Sequence, residues 1–310
     1  MFENPVSETA IESSASGWTA EEGMAHYLSP EHLMEHVQDT TKFELPFGWH
    51  FEIPNIIGPD SAPLIQVAGY PLVTGRLTKF MVLEIVAVIG LILAFAWLAR
   101  KVRTGERPTG KAWNLLETFV VFIRDEIAKP AIGGKDANRF LPFLLTIFFF
   151  ILSLNLLGMI PMLGSATGAI EVTISFALLT FLVVVGSGMK KMGVVGFLKA
   201  QVPHMDLPPL LAVVLIPMIW VIEIFGLLVK HCVLAIRLFA NMFAGHLVLA
   251  VFIGFVGVVW ASGALFYAIA PASFLAALGL SLLELFVAFL QAYLFTFLSA
   301  LFIGSAQHAH

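Results

Sequence analysis

Long apolar runs, separated by short basic or proline-containing breaks, fill the chain from about Phe80 onward. That pattern predicts helices that cross a membrane. The first run, about residues 80–98, has the length of one crossing. A second covers about 140–162 and ends at Gly158-Met-Ile-Pro161, and a third covers about 170–187 and stops before Lys190-Lys191. The last two runs, 209–256 and 264–305, hold 48 and 42 positions without a convincing polar break. A perpendicular crossing needs only about 20. At 1.5 Å per residue they would be roughly 70 and 60 Å long, against a hydrocarbon core of about 30 Å. Each therefore either hides a turn or crosses at a steep tilt. Pro217, Gly226 and Gly245 could bend the first, but none stands with the polar cluster a loop requires. The pattern favours two long tilted helices joined by a short hairpin near Trp260–Ala264. Five crossings follow, in an all-α polytopic membrane fold.

Charge adds orientation and a division of the chain. Residues 1–79 are polar, carry eleven acidic and three basic side chains, and include Pro46, Pro54, Pro59, Pro63 and Pro71. They read as an extension before a membrane domain at 80–310. An acidic start of this kind lacks the basic, apolar character of a secretory or transit peptide. Within it, Ser29 and Pro30 have the chemistry of a helix start. His32 and His36 are four apart, but without a third ligand they make a poor metal site. Arg100, Lys101, Arg103, Arg107 and Lys111 form the densest basic cluster, directly after the first run. Positive charge gathers on the cytoplasmic side, so that loop lies inside and the N-terminus outside. Lys190 and Lys191 agree. Five crossings then place the C-terminus in the cytoplasm. Residues 112–130 interleave apolar stretches with Glu117, Arg124, Asp125, Glu126 and Lys129. They are too charged to cross and amphipathic enough to lie at the inner surface.

Composition agrees with the pattern: the chain is 59% hydrophobic and 12% charged, with mean hydropathy +0.91. Its single cysteine, Cys232, excludes a disulfide framework and a cysteine metal cluster. Two motif-like stretches fail on chemistry. Gly105 to Lys111 has the spacing of a phosphate-binding loop, but Ala112 replaces the hydroxyl residue and a membrane span precedes it. His231 and Cys232 are adjacent, so on a helix they point about 100° apart and cannot share a metal. No cofactor, no metal and no nucleic acid is expected.

The informative residues are the ionisable ones inside the apolar runs, where a charge normally faces a partner, water or an ion path. Glu223, Lys230 and Arg237 recur every seven positions and drift only about 20° per step, so they share a helix face. Asn241, one turn past Arg237, joins them, whereas His246 falls roughly opposite Arg237. Glu284 and Gln291 are also seven apart, with Ser281 and Ala288 keeping their face small. Blander readings exist for some of them. Glu223 and Lys230 could be an anchoring pair, because lysine can snorkel. Asn241 and Gln291 could be helix–helix glue. Glu171 could sit at the interface or in an inlet vestibule. Arg237, His246 and Glu284 together are harder to explain structurally.

The stretch Arg237-Leu-Phe-Ala-Asn-Met-Phe-Ala-Gly-His246 resembles the signature of subunit a of the F-type ATP synthases, a membrane proton-channel stator subunit. The resemblance covers 209–305 well and 80–190 fairly, and says little about the first 79 residues. It implies a non-catalytic subunit of a bacterial inner-membrane complex. Its partners would be the c-ring, the peripheral-stalk b subunits, other ATP synthase membrane subunits and the lipid bilayer. By residue, it implies that Arg237 faces each passing rotor carboxylate, that Asn241 is a polar neighbour in the channel, and that Gln291 lies near the arginine on the last helix. Glu223 would belong to the inner half-channel, with Lys230 beside it or acting as an anchor. Some members carry Glu after the Gly and His on the last helix. Here Gly245 precedes His246 and the last helix carries Glu284, the reciprocal pattern. A swap of this kind is tolerated if the two side chains touch, which makes them one relay of the outer half-channel. A proton- or sodium-coupled secondary transporter is the rival reading. It would normally show internal repeats and broken helices, and no repeat relates 80–190 to 209–305.

Overall fold

A computed structural model of the chain describes residues 42–44, 50–52, 63–67, 70–74, 78–103, 110–160, 163–201, 209–259 and 264–307. The expected helix start at Ser29, the His32/His36 pair and residues 105–109 of the loop-like motif lie outside them. The chain forms two compact units, one of residues 39–243 with 283–310, the other of residues 1–38 with 244–282.

The first unit begins with two small antiparallel hairpins that the polar pattern did not suggest. Strand β1 (Lys42–Glu44) pairs with β2 (His50–Glu52), Phe43 opposite Phe51. Strand β3 (Pro63–Val67) pairs with β4 (Tyr70–Thr74), with register shifts near Ile65. In β3 and β4, short runs with β-branched and aromatic residues separated by two residues suit such pairing. They were hidden by the prolines, two of which sit within the strands at Pro63 and Pro71.

Helices account for the rest. They are α1 (Lys79–Arg103), α2 (Lys111–Phe122), α3 (Lys129–Ile132), α4 (Gly134–Gly158), α5 (Ile170–Ala200), α6 (Pro209–Val259) and α7 (Ala264–Gln307). Among the described residues, five stretches are long and apolar enough to cross a membrane: Lys79–Val102, Asp136–Gly158, Ile170–Ala200, Val214–Val256 and Phe266–Gln307. This is the expected all-α polytopic architecture. The two long helices each run without a break, α6 ending at Val259 and α7 beginning at Ala264; residues 260–263, where the hairpin is expected, lie outside the described residues. Helix α5 outlasts the expected third run, because it continues through a kink at Gly193 to Ala200. Gly193 makes the kink with φ of 76°, a conformation that glycine adopts without a Cβ clash.

Between α2 and α3 the backbone widens into a π-helical turn, Ile123–Ala128. Ile123, Ile127, Ala128 and Ile132 are buried there and the turn packs on α4. The π-helical part of the amphipathic segment thus buries its apolar side against protein, while Leu115, Val121 and Phe122 of α2 stay exposed. Arg124 and Lys129 hold Asp125 on the opposite side, at 2.9 and 2.6 Å. These hydrogen bonds, that from Arg124 first, depress the Asp125 pKa well below the ordinary carboxylate range. Lys191 reaches Asp136 at 3.0 Å, tying α5 to α4, and the Trp220 indole donates to the Leu198 carbonyl at 3.1 Å, tying α6 to α5. The core between α1, α4, α5 and α7 is mainly aliphatic and aromatic, with edge-on ring pairs such as Phe95–Phe149 and Phe150–Phe176.

Candidate ion-path residues

Helix α6 shows why its charges stand where they do. In the first unit its buried side chains are His231, Leu234, Ala235, Leu238 and Met242, one helical stripe that faces the rest of that unit. Glu223, Lys230, Arg237 and Asn241 lie roughly a quarter turn or more to one side of that stripe. Glu223 and Asn241 are half-buried, while Lys230 and Arg237 are exposed. Glu223 and Lys230 approach each other at 3.7 Å, as residues on one face two turns apart can. Arg237 takes no hydrogen bond or ion pair among the described residues, and Val229, Val233 and Ile236 beside it are exposed and apolar. A fixed guanidinium charge therefore sits on an outward, apolar surface.

Helix α7 does the opposite. Glu284 and Gln291 are each 7% exposed, with Ala288 fully buried between them, so the expected common face exists and is turned inward. Leu283, Leu285, Phe286 and Leu290 occupy the outward side. His246 lies in the part of α6 that belongs to the second unit, where it is half-buried. Glu171 is exposed at the start of α5. His231 is a packed core residue: its Nδ1 lies 2.8 Å from the Leu227 carbonyl, and the rings of Phe181 and Phe302 flank it. A carbonyl can only accept, so Nδ1 carries the proton. Neighbouring Cys232 is exposed, and the two side chains point apart.

One set of polar residues escaped the sequence reading. Asn155 of α4 is fully buried and donates from Nδ2 to the Ala288 carbonyl at 3.3 Å. Its Oδ1 accepts from Thr167 at 2.7 Å, and Ser165 lies 3.0 Å from the same hydroxyl. A lone asparagine within the apolar run 140–162 was the available signal, because buried amides at membrane depth need partners.

These features define a polytopic helical membrane protein that sets ionisable and polar groups into two long apolar helices. Residues 81–304 match the family described as ATP synthase A chain. The chain belongs to that family. It is 39% identical over 303 residues to the ATP synthase subunit a of Anaeromyxobacter sp. (strain Fw109-5), covering 90% of this chain and 71% of that one. With the subunit a of Chloroherpeton thalassium the identity is 41% over 283 residues, 89% and 77% of the two chains. With that of Myxococcus xanthus it is 40% over 230 residues, 74% and 72%. Membership makes the chain a membrane component of an ATP synthase, serving proton transport coupled to ATP synthesis.

Proposed function

We propose that the chain is the stator half of a rotary proton path made of two half-channels. A proton arriving from outside passes by Glu284 and His246 to a carboxylate of the c-ring, which, once neutral, can turn into lipid. After rotation the carboxylate meets the inner half-channel near Glu223, with Lys230 at its margin, and gives the proton to the cytoplasm. Arg237 lies between the two paths. It favours the ionised carboxylate and repels a hydrated proton that would otherwise cross directly. Asn241 and Gln291 supply polar contacts along the way. Each charge moved is worth about 2.3 kcal/mol per 100 mV, so a leak would dissipate the force that drives rotation.

The observation that carries this reading is the exposed Arg237 on an apolar helix surface. A guanidinium cannot shed its proton, and a charge at membrane depth costs at least about 2.5–3.5 kcal/mol on insertion scales. Its outward position therefore calls for a counter-ion on another subunit. The subunit itself makes and breaks no covalent bond in ATP. It lies in the bacterial inner membrane with the N-terminus outside and the C-terminus in the cytoplasm, beside the c-ring and the peripheral-stalk b subunits. Gentle detergent purification through a tag on this chain tests it: a ring of small hairpin proteins and a soluble ATPase head should come with it. Recovery of the chain without either would remove the reading.

A further inference from the structure

We propose that Asn155 is a positioning residue for proton transfer, clamping α7 by the Ala288 carbonyl so that Glu284 and Gln291 are held at one rotation of that helix. The inference rests on the role just proposed for Glu284. It starts from hydrogen-bond directions that chemistry alone fixes. The Ala288 carbonyl can only accept, so the asparagine atom facing it at 3.3 Å must be the NH2 group. The amide oxygen is then the atom 2.7 Å from Thr167, and Thr167 must donate to it. With its proton committed, Thr167 accepts from Ser165 at 3.0 Å. The chain of donation runs one way, from Ser165 to Thr167 to Asn155 to the backbone of α7.

Every member of this chain is buried: Asn155 and Thr167 are 0% exposed and Ser165 is 1% exposed. The turn that carries Ser165 and Thr167 (Ser165 followed by the 3-10 segment Ala166–Gly168) is pressed against the end of α4. A Cβ on Gly158 would stand 2.7 Å from the Ser165 hydroxyl, so only glycine admits that approach. The turn thus backs the asparagine rigidly, and the asparagine addresses a single carbonyl on α7.

Its position on α7 matters more than its strength. Ala288 is four residues after Glu284 and three before Gln291, on the same buried face. In a membrane, apolar packing alone specifies helix rotation weakly, because lipid tails are as apolar as the leucines they would replace. Phe295, Ala288 and Ala292 are buried on that face, and the bond to the Ala288 carbonyl adds one directed contact to their packing. Rotation of α7 by one residue position would move both polar side chains by about 100° around the helix. Misplacement of a reacting group by about 1 Å can cost on the order of 100-fold in rate.

The test uses the whole ATP synthase reconstituted in liposomes. The rate of acid-driven ATP synthesis is measured against the pH of the compartment that supplies the proton. Asn155→Leu keeps the size of the side chain and removes both bonds. It should lower the rate about tenfold or more and move the midpoint of the pH profile by about half a unit or more, since a displaced Glu284 titrates in altered surroundings. Thr167→Val should move the midpoint in the same direction by less, and Thr167→Ser, which keeps the donor, should restore it. In a Glu284→Gln background, Asn155→Leu should shift the profile no further. An unchanged rate and midpoint in assembled Asn155→Leu overturns the clamp, as does a uniform loss of rate with the midpoint unmoved. Should Asn155→Leu fail to assemble, the Thr167→Val and Thr167→Ser pair decides by the same criterion. A wild-type rate and profile for Glu284→Gln alone would instead remove the role given to Glu284.

Discussion

Replacing Arg237 with alanine should abolish ATP-coupled proton pumping while leaving the subunit inserted and assembled. The structural half of this expectation follows from where the side chain lies. Arg237 is exposed, bonded to nothing among the described residues, and stands apart from the buried stripe of Leu234, Leu238 and Met242. Truncation opens no cavity, and it removes a charge whose insertion is itself unfavourable by about 2.5–3.5 kcal/mol. The functional half follows from Coulomb's law. A guanidinium about 4 Å from a rotor carboxylate, at an effective dielectric constant of about 20, stabilises the ionised form by about 4 kcal/mol. That is about three pKa units, so losing it leaves on the order of a thousandfold less drive for the carboxylate to release its proton. Lysine at this position should rescue poorly, because an ammonium can deprotonate when desolvated and lacks the planar fork. Inverted membrane vesicles energised with ATP and followed by quenching of a pH-sensitive dye provide the assay, with immunoblots for the assembled complex. Wild-type acidification by the alanine variant would refute the role of the charge. Failure of that variant to accumulate would refute the claim that the side chain is not part of the fold.

Three further outcomes are expected. His246→Glu and Glu284→His should each slow proton translocation about tenfold or more, because in the proposed relay each would leave two like groups. The double exchange should recover much of the loss; strictly additive losses in a double-mutant cycle on proton flux would mean the two residues do not act together. Gly304→Val should destabilise the detergent-solubilised complex, since a Cβ there would collide with the Ala131 carbonyl and overpacking costs about 1–3 kcal/mol. A melting temperature equal to that of the wild type would count against that contact. Asp125, whose folded-state pKa is lowered by Arg124 and Lys129, stabilises the α2–α3 turn above its unfolded value of about 3.9. It keeps doing so until the pH falls through its own lower value. The stability difference between wild type and Asp125→Asn should therefore hold from neutral pH down to about 4 and vanish only in stronger acid. Its disappearance near pH 5 would show that the carboxylate is not held in this way.

The spans were legible because membrane insertion imposes a single coarse rule, an apolar run of sufficient length, and five runs obey it. The faces of α6 and α7 were legible for the same kind of reason: seven-residue spacing fixes direction whatever the surroundings. Three things were not. The prolines at Pro63 and Pro71 masked the strand pattern of β3 and β4, where β-branched residues alternate too briefly to outweigh them. The π-helical turn adds a residue to one turn of a segment whose charges already disturbed its periodicity. The chain from Ser165 to Ala288 joins residues 133 apart at its asparagine, and one half of that bond is a backbone atom, which carries no signature in a sequence. A buried amide could be suspected from composition, but its partner could be found only in three dimensions.

The two long helices treat charge in opposite ways, and the difference follows from what each group can do. Glu284 is a carboxyl group that has a neutral form, so α7 can turn it inward on the buried face it shares with Ala288 and Gln291. Arg237 has no neutral form to fall back on. Turned inward, it would demand a permanent counter-ion from its own chain, and a bound carboxylate there would satisfy it for good. Such a pair would be stable and useless for a cyclic task, since a partner that never leaves cannot carry anything away. Turned outward on an apolar surface, the same arginine would, in the path proposed above, be paired only while a rotor carboxylate stands before it. In that path, a fixed charge without a partner among the described residues and a titratable group that is buried act as two parts of one device. In the path proposed above, the first would select the ionised rotor site, and the second would return it to its neutral form before lipid is reached.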